Sequence, residues 1–326
     1  MNINRRQAIS TAIALSTSAA WPLARAQAWP SKTITIVVAY PAGGDTDVLA
    51  RVYAEKLTTR LGATVVVDNR PGASGVIGSA QVSKSAPDGY TFLMAPSTFS
   101  IAQLVLKTSA GSGYDEQAGF TPIIQTGVQP LFIAVASSTG IKDLRELVAQ
   151  SRTRRIAYAS PGSGSPMHIL GEMFNRTSGA KLIHVPYRGV APAVNDLVGG
   201  HVQATVLTLG PLAPHVTSGK VTLLAVADPQ RSSLAPNVPT LSELGFKDTD
   251  VGAWQGMFGP AGLPADMVRT LNGHMNEILK MPDVVARMVA FGALPAGGDP
   301  ARLTRSNTED HARFGKIVKE LNIQAD

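Results

Sequence analysis

The chain passes twice from a β-branched run through a glycine-rich turn into a helix. The first passage is "VAYPAGGDTDVLAR" (38–51) and the second is "ASPGSGSPMHILGEMF" (159–174). Glycines at a strand-to-helix junction let backbone N–H groups crowd round an anion, and the helix start adds roughly half a positive charge. Ligands of open α/β sheets bind at the carboxyl ends of the strands. Two such junctions on two lobes therefore predict a cleft with two facing anion receptors. A charge-assisted hydrogen bond contributes roughly 1.5–3 kcal/mol, and a helix terminus about 0.3–1 kcal/mol. Four such donors reach the ~8 kcal/mol of micromolar binding after ordering costs, without an arginine clamp.

The rest of the chain keeps the same alternation. Strands are expected at 34–39, 64–67 and 90–95, with helices over 46–61 and from the turn at 70–72 through 84. In the first helix Leu49, Tyr53, Leu57 and Leu61 lie four apart, and Gly62 is placed to end it. After residue 130 the rhythm returns, with strands at 131–136, 156–159, 182–185, 203–208 and 221–227. Helices at 142–151, 166–177 and 191–198 fall between them, and the last third reads helical at 265–280, 283–291, 300–306 and 308–321. An α/β fold of two lobes follows, each a mostly parallel sheet flanked by helices. A length of 326 residues suits two cores. Lobe 1 is expected to hold 29–130 and 227–326, and lobe 2 to hold 131–226. Crossings near 127–133 and 224–232 make a hinge.

Residues 1–28 read as a secretory signal peptide. Asn4-Arg5-Arg6 is a basic start, 8–20 is a short run of small and apolar residues, and Ala26-Gln27-Ala28 is a small-x-small cleavage site. The mature chain is expected to begin at Trp29. Arg5-Arg6 also fit a twin-arginine signal, so both export routes stay open. No later run approaches the ~18 apolar residues of a membrane span. Cysteine is absent, which excludes disulfides, thiolate metal sites and cysteine nucleophiles. Removing three arginines with the leader sets 26 basic residues against 23 acidic ones, a net +3. Those basic residues are scattered, apart from Arg152, Arg154 and Arg155 at a solvated helix end. Aromatic residues make up only 6% of the chain, so no nucleic-acid partner is expected.

Enzyme signatures are missing. The sequence has no G-x-S-x-G elbow, no phosphate loop of the Walker kind and no G-x-G-x-x-G. His168, His184, His201, His215, His274 and His311 never fall three or four apart, so no helical metal pair forms. No catalytic residue, metal or cofactor is expected. In the second glycine turn Ser165 is placed to N-cap a helix with Pro166 at its first position. His168 reads there as a structural hydrogen-bonder. In the first turn Asp45 is placed to N-cap, and Asp47 to favour the helix's positive end. A rival reading sets Asp47 against the ammonium group of an amino-acid ligand. Trp254, in "GAWQG", reads either as a residue of the cleft or hinge or as a core tryptophan.

Seven stretches together carry a family resemblance. They are "YPAGGDTDVLAR", "VVDNRPGASGVIGSAQVSKSAPDGYTFLMA", "ASPGSGSPMHILGEMF", "VPYRGVAPAVNDLVGGHV", "APNVPTLSELGF", "WQGMFGPAGLPADMV" and "ARFGKIVKELNI". In this order they resemble the tripartite tricarboxylate transporter substrate-binding proteins, the Bug receptors, over essentially the whole mature chain. The resemblance implies a periplasmic binding protein of type II topology, a two-lobed Venus flytrap. It also implies a small carboxylate or related organic anion as ligand, held by backbone N–H groups, hydroxyls and ordered water. On that reading the first loop supplies Tyr40, Ala42, Gly43, Gly44, Asp45, Thr46 and Asp47. The second supplies Ser160, Gly162, Ser163, Gly164, Ser165 and His168. Tyr187, Arg188 and Gly189 match the family's proline-tyrosine-basic-glycine turn, Asp196 matches its helix acid, and Ser97 and Thr208 complete the set.

Two departures put ligand identity in doubt. Leu207 and Thr208 stand where many relatives carry an acid, and 107–115 is rich in small residues. The expected role is that of a monomeric periplasmic receptor, not an enzyme, which hands its ligand to membrane transporter subunits. It does not itself enter the membrane. A sensor of the same fold signalling to a membrane kinase shares this signature. An exported hydrolase with a dispersed triad is the reading from another class.

Overall fold

A computed structural model describes residues 29–106 and 113–324. The expected leader and most of the 107–115 stretch lie outside them. The strands are β1 (Ile34–Val38), β2 (Val65–Asn69), β3 (Thr91–Pro96), β4 (Phe120–Gln129), β5 (Leu131–Ala136), β6 (Ile156–Ser160), β7 (Leu182–Pro186), β8 (Ala204–Thr208), β9 (Val221–Val226), β10 (Ala253–Pro260) and β11 (Leu294–Pro295). The helices are α1 (Asp45–Leu61), α2 (Val76–Ser83), α3 (Ala102–Val105), α4 (Leu144–Thr153), α5 (Pro166–Ser178), α6 (Val190–Val198), α7 (Leu209–Thr217), α8 (Ala265–Ile278), α9 (Pro282–Ala290) and α10 (Pro300–Glu320).

One sheet runs β11-β4-β10-β3-β1-β2 and the other β7-β6-β8-β5-β9. Both are mixed, which corrects the expectation of mostly parallel sheets. The β-α-β units are parallel, with β1 between β2 and β3, and β6 between β7 and β8. The strands on either side of the lobe crossings are antiparallel to their neighbours: β10 to β3 and β4, and β5 to β8 and β9. Only Pro130 separates β4 from β5, so the chain enters the second sheet without a crossover helix to restore its direction.

Each face of β1 is covered. Ile34, Ile36 and Val38 pack with Leu49, Tyr53 and Leu57 of α1, while Val37 and Ala39 pack with Leu93, Phe99 and Phe258. A strand buried on both faces reads as a continuous apolar run, as "ITIVVA" does. Gly62, at φ 64°, ends α1 by donating its N–H to the Thr58 carbonyl.

The C-terminal segment departs from the sequence expectation twice. The helices expected at 300–306 and 308–321 are one helix, α10. Its polar middle is tied to tertiary partners: Ser306 Oγ donates to Gln125 Oε1, and Asn307 Nδ2 to the Glu116 carbonyl. The end of α10 then leaves the first lobe. Phe314, Val318 and Ile323 share a core with Phe174, Leu170 and Ile133, and Leu241 and Val251 join them. These parts of 227–326 therefore pack with the second lobe, where the sequence placed them in the first.

The lobes touch. Ser74 Oγ donates to the Ser163 carbonyl at 2.9 Å, and Thr208 Oγ1 to Asp45 Oδ2 at 3.5 Å. At a further seam the backbones of Gly210 and Phe291 approach so closely that a Cβ on Gly210 would lie 2.3 Å from the Phe291 carbonyl carbon.

Candidate functional site

The first glycine turn is built from its own acids outward. Gly44, not Asp45, is the N-cap of α1, and no side chain caps it. Asp45 is already the first helical residue, so its carboxylate lies beside the axis and turns inward. Its Oδ2 accepts from Gln129 Nε2 at 2.8 Å, and its Oδ1 from the Thr46 N–H at 2.8 Å. Asp47 folds back over the turn. It accepts from the Gly43 N–H at 2.9 Å, from Asn69 Nδ2 at 2.9 Å and from Arg51 Nε at 3.1 Å. Burial acts to raise the Asp47 carboxyl, but the donors from Arg51, Gly43 and Asn69 outweigh it and hold the carboxyl below its ordinary value. This acid is fully engaged by protein and fixes the loop.

Between the lobes lies a cavity of about 60 Å³, room for about four to six water-sized groups. That suits a small organic acid. From the first lobe Tyr40, Ala42, Gly44, Asp45, Thr46, Asp47 and Ser97 line it. From the second lobe Arg188 and Gly189 of the expected set do so. Arg188 is exposed at the rim and is, among the described residues, the one cationic side chain in the lining. The Tyr40 hydroxyl donates to the Ser74 carbonyl at 2.9 Å, and burial, with Asp45 adding to it, pushes the phenol above its ordinary value. It remains a neutral donor.

Three helix starts converge on this cavity. The α1 start brings Gly44 to Asp47, the α6 start brings Gly189, Val190 and Ala191, and the α5 start brings Pro166 and Met167. Neither Gly44 nor Gly189 has a side-chain cap, so, apart from the Thr46 N–H taken by Asp45, the first-turn N–H groups of α1 and those of Val190 and Ala191 in α6 face a ligand. Each start also carries the positive end of its helix.

The second glycine loop is placed differently from the expectation. Ser160, Gly162, Ser163, Gly164, Ser165 and His168 do not line the cavity. Ser160 Oγ meets His184 Nε2 at 2.6 Å, Gly164 donates its N–H to His168 Nδ1 at 3.3 Å, and Ser165 caps α5 by accepting from the His168 N–H. Ser163 spends its carbonyl on Ser74 of the other lobe. Gly43 gives its N–H to Asp47, and Tyr187 its hydroxyl to Asp196 Oδ2 at 2.6 Å. Thr208 is fully buried and reaches the cavity only through Asp45. Gly162, Ser163 and Tyr187 line a neighbouring groove that shares Tyr40, Pro41, Pro161, Arg188 and Gly189 with the cavity.

The family model for the tripartite tricarboxylate transporter family receptor matches residues 49–323. The chain belongs to this receptor family. It is 34% identical to protein BugT of Bordetella pertussis over 326 residues, 99% of each chain. Among solved structures it resembles the periplasmic binding protein BugD, at 32% identity and TM-score 0.84, covering 91% of this chain and 100% of that one. It also resembles Rpa4515 of R. palustris with adipate, at 32% identity and TM-score 0.86, covering 91% of this chain and 99% of that one. The family is one of solute-binding receptors, and among the described residues no helix is long and apolar enough to cross a membrane.

Several lining residues of the receptor escaped the sequence reading: Pro96, Thr98, Gln129, Met167, Val190 and Ala191. The last two had a signal. "YRGVAPAVNDL" is a third glycine-to-helix start, and the logic applied to the first two turns applies to it equally. Trp254 satisfies both of its readings. It is buried, donates Nε1–H to Asp310 Oδ2 at 2.7 Å and sits near Phe258, yet its neighbour Ala253 lines the cavity.

Beneath the second loop His168 and His184 stack with ring centroids 3.8 Å apart. Burial, with the nearby His168 adding to it, pushes the His184 imidazole down to about 3. The unfolded chain therefore binds a proton at this histidine below pH ~6.5 that the folded receptor refuses. Stability should fall as pH drops from about 6.5 toward 3, by about 1.4 kcal/mol per pH unit from this residue. Asp228 and Asp310, pushed up to about 6 mainly by burial, act in the opposite sense, so the comparison with a His184→Gln variant isolates the histidine. Between pH 7 and 4.5 the wild type should lose about 2–3 kcal/mol relative to that variant in urea unfolding. An equal dependence in both proteins would remove the assignment.

Proposed function

We propose that the receptor is exported to the periplasm, captures a small carboxylate between its lobes, and delivers it to a tripartite tricarboxylate-type membrane transporter without chemical turnover. The observation that carries this reading is the convergence of the α1, α5 and α6 starts, with Arg188 at the rim, on one small cavity. Partial positive charge from three directions suits an anion, and the adipate seen with a relative of the same fold agrees with that class. The donors come from both lobes and act together only when the lobes meet. Binding therefore favours the closed form by the difference in affinity between the two forms. Ser160 and His184 form a serine–histidine pair, but the serine is fully buried and outside the cavity, which favours binding over hydrolysis.

The test is calorimetry of the mature protein with C3 to C6 mono- and dicarboxylates, followed by small-angle scattering with the tightest binder. Micromolar binding, a smaller radius of gyration and a shift in Trp254 fluorescence are expected. An unchanged radius at saturating ligand, starting from a verified open protein, would exclude closure. Release of product from ester or amide panels would exclude the purely binding role.

A further inference from the structure

The acid that sequence reading set against an ammonium group was Asp47, and the structure rules Asp47 out for that task because Arg51, Asn69 and Gly43 already surround it. Asp45 is the other case. It lines the cavity, and only 9% of its surface is exposed. Its partners among the described residues are all uncharged: Gln129, the Thr46 N–H and Thr208. Those partners are themselves held in place. Gln129 accepts at its Oε1 from Gln255 Nε2 at 2.9 Å, so the carboxylate is fixed from β10 through β4, and from the other lobe through the β8 terminus.

A fixed carboxylate lining an anion cavity repels a simple carboxylate ligand, and burial strengthens the repulsion. The same carboxylate attracts a cation placed beside the ligand's own carboxylate. The helix starts and Arg188 supply the complement for the negative group, and Asp45 supplies it for the positive one. We infer that the ligand is zwitterionic, a small amino acid or similar compound whose ammonium group is bound by Asp45 while its carboxylate takes the helix-start N–H groups. The inference rests on the carboxylate-receptor reading above and narrows it.

Three matched acid series test it on the mature receptor by calorimetry: alanine, lactate and propionate; aspartate, malate and succinate; glutamate, 2-hydroxyglutarate and glutarate. Each series keeps the carbon chain and changes one substituent. The amino member of at least one series should bind at least tenfold tighter than its hydroxy and unsubstituted partners. In Asp45→Asn, a near-isosteric change that keeps an acceptor for Gln129, that preference should shrink below threefold. The wild-type series decides the matter even if the variant fails to fold. Equal or tighter binding of the hydroxy or unsubstituted acids overturns the zwitterion and leaves the carboxylate receptor standing. So does a preference that survives intact in folded Asp45→Asn. If no acid of any series binds, the carboxylate reading falls and the zwitterion falls with it.

Discussion

Replacing Gly164 with valine is expected to weaken ligand binding at least tenfold, about 1.4 kcal/mol, while the ligand-free protein keeps its fold. Gly164 has φ 75°, and a Cβ there would lie 2.9 Å from the Ala102 Cα and 3.3 Å from the Ala102 carbonyl oxygen. Those are backbone atoms of α3, which no rotamer change can move aside. The second loop must shift against α3 by a few tenths of an ångström or more, and the α5 start that it feeds no longer keeps its place at the cavity. Sequence reading assigns the same loss to blocked approach of the loop to the ligand. The structure moves the cause to the packing of the loop against α3, because Gly164 is not in the cavity lining. Calorimetry showing wild-type affinity for a folded Gly164→Val protein would sink both explanations.

Removing Asp47 should cost stability as well as affinity. In Asp47→Ala the exposed Gly43 N–H and the half-buried Asn69 amide each lose an acceptor, although Asn69 keeps the Tyr40 carbonyl, and Asp47 itself is only 3% exposed. Water can reach both donors, so the loss is that of hydrogen bonds to a charged acceptor, about 1.5–3 kcal/mol in unfolding free energy. Arg51 contributes less to that figure, since its side chain is half exposed and rehydrates. The loosened turn also frees the N–H groups of the α1 start to wander, so ligand affinity should fall several-fold. Chemical denaturation and calorimetry on the same preparation check both halves. Unchanged stability would mean that water replaces the carboxylate and that Asp47 does not hold the turn.

Much of this molecule is readable from its sequence where local periodicity and burial agree. β1 and α1 are clear because an apolar run gives way at Gly43-Gly44 to residues spaced four apart, and both signals reflect the same core. β4 and β10 are not clear. Their interiors carry Gln125, Gln129 and Gln255, which are buried because they bond with other chain segments, and no local pattern announces that. The two acids of the first turn show the same limit. Propensity places an aspartate near a helix start, but whether it caps, braces a loop or faces a ligand depends on Gln129, 84 residues away, and on Asn69. The placement of the second loop is hidden from the sequence for a related reason. Its glycines admit a neighbouring lobe, through a contact between Ser74 and Ser163 that lies 89 residues apart in the chain.

The meeting of Gly210 with Phe291 gives the protein an adjustment that is independent of its cargo. On the closure proposed above, apparent affinity equals intrinsic affinity scaled by the fraction of molecules able to close, and a single methyl group at Gly210 would hold this seam apart. The set point of the receptor, the solute concentration at which half the population responds, can therefore drift over generations through a position far from any recognised atom. Its ranking of solutes would stay as it was. Thrift and selectivity are separately heritable in such a design, and a scarce or abundant habitat could retune the first without disturbing the second.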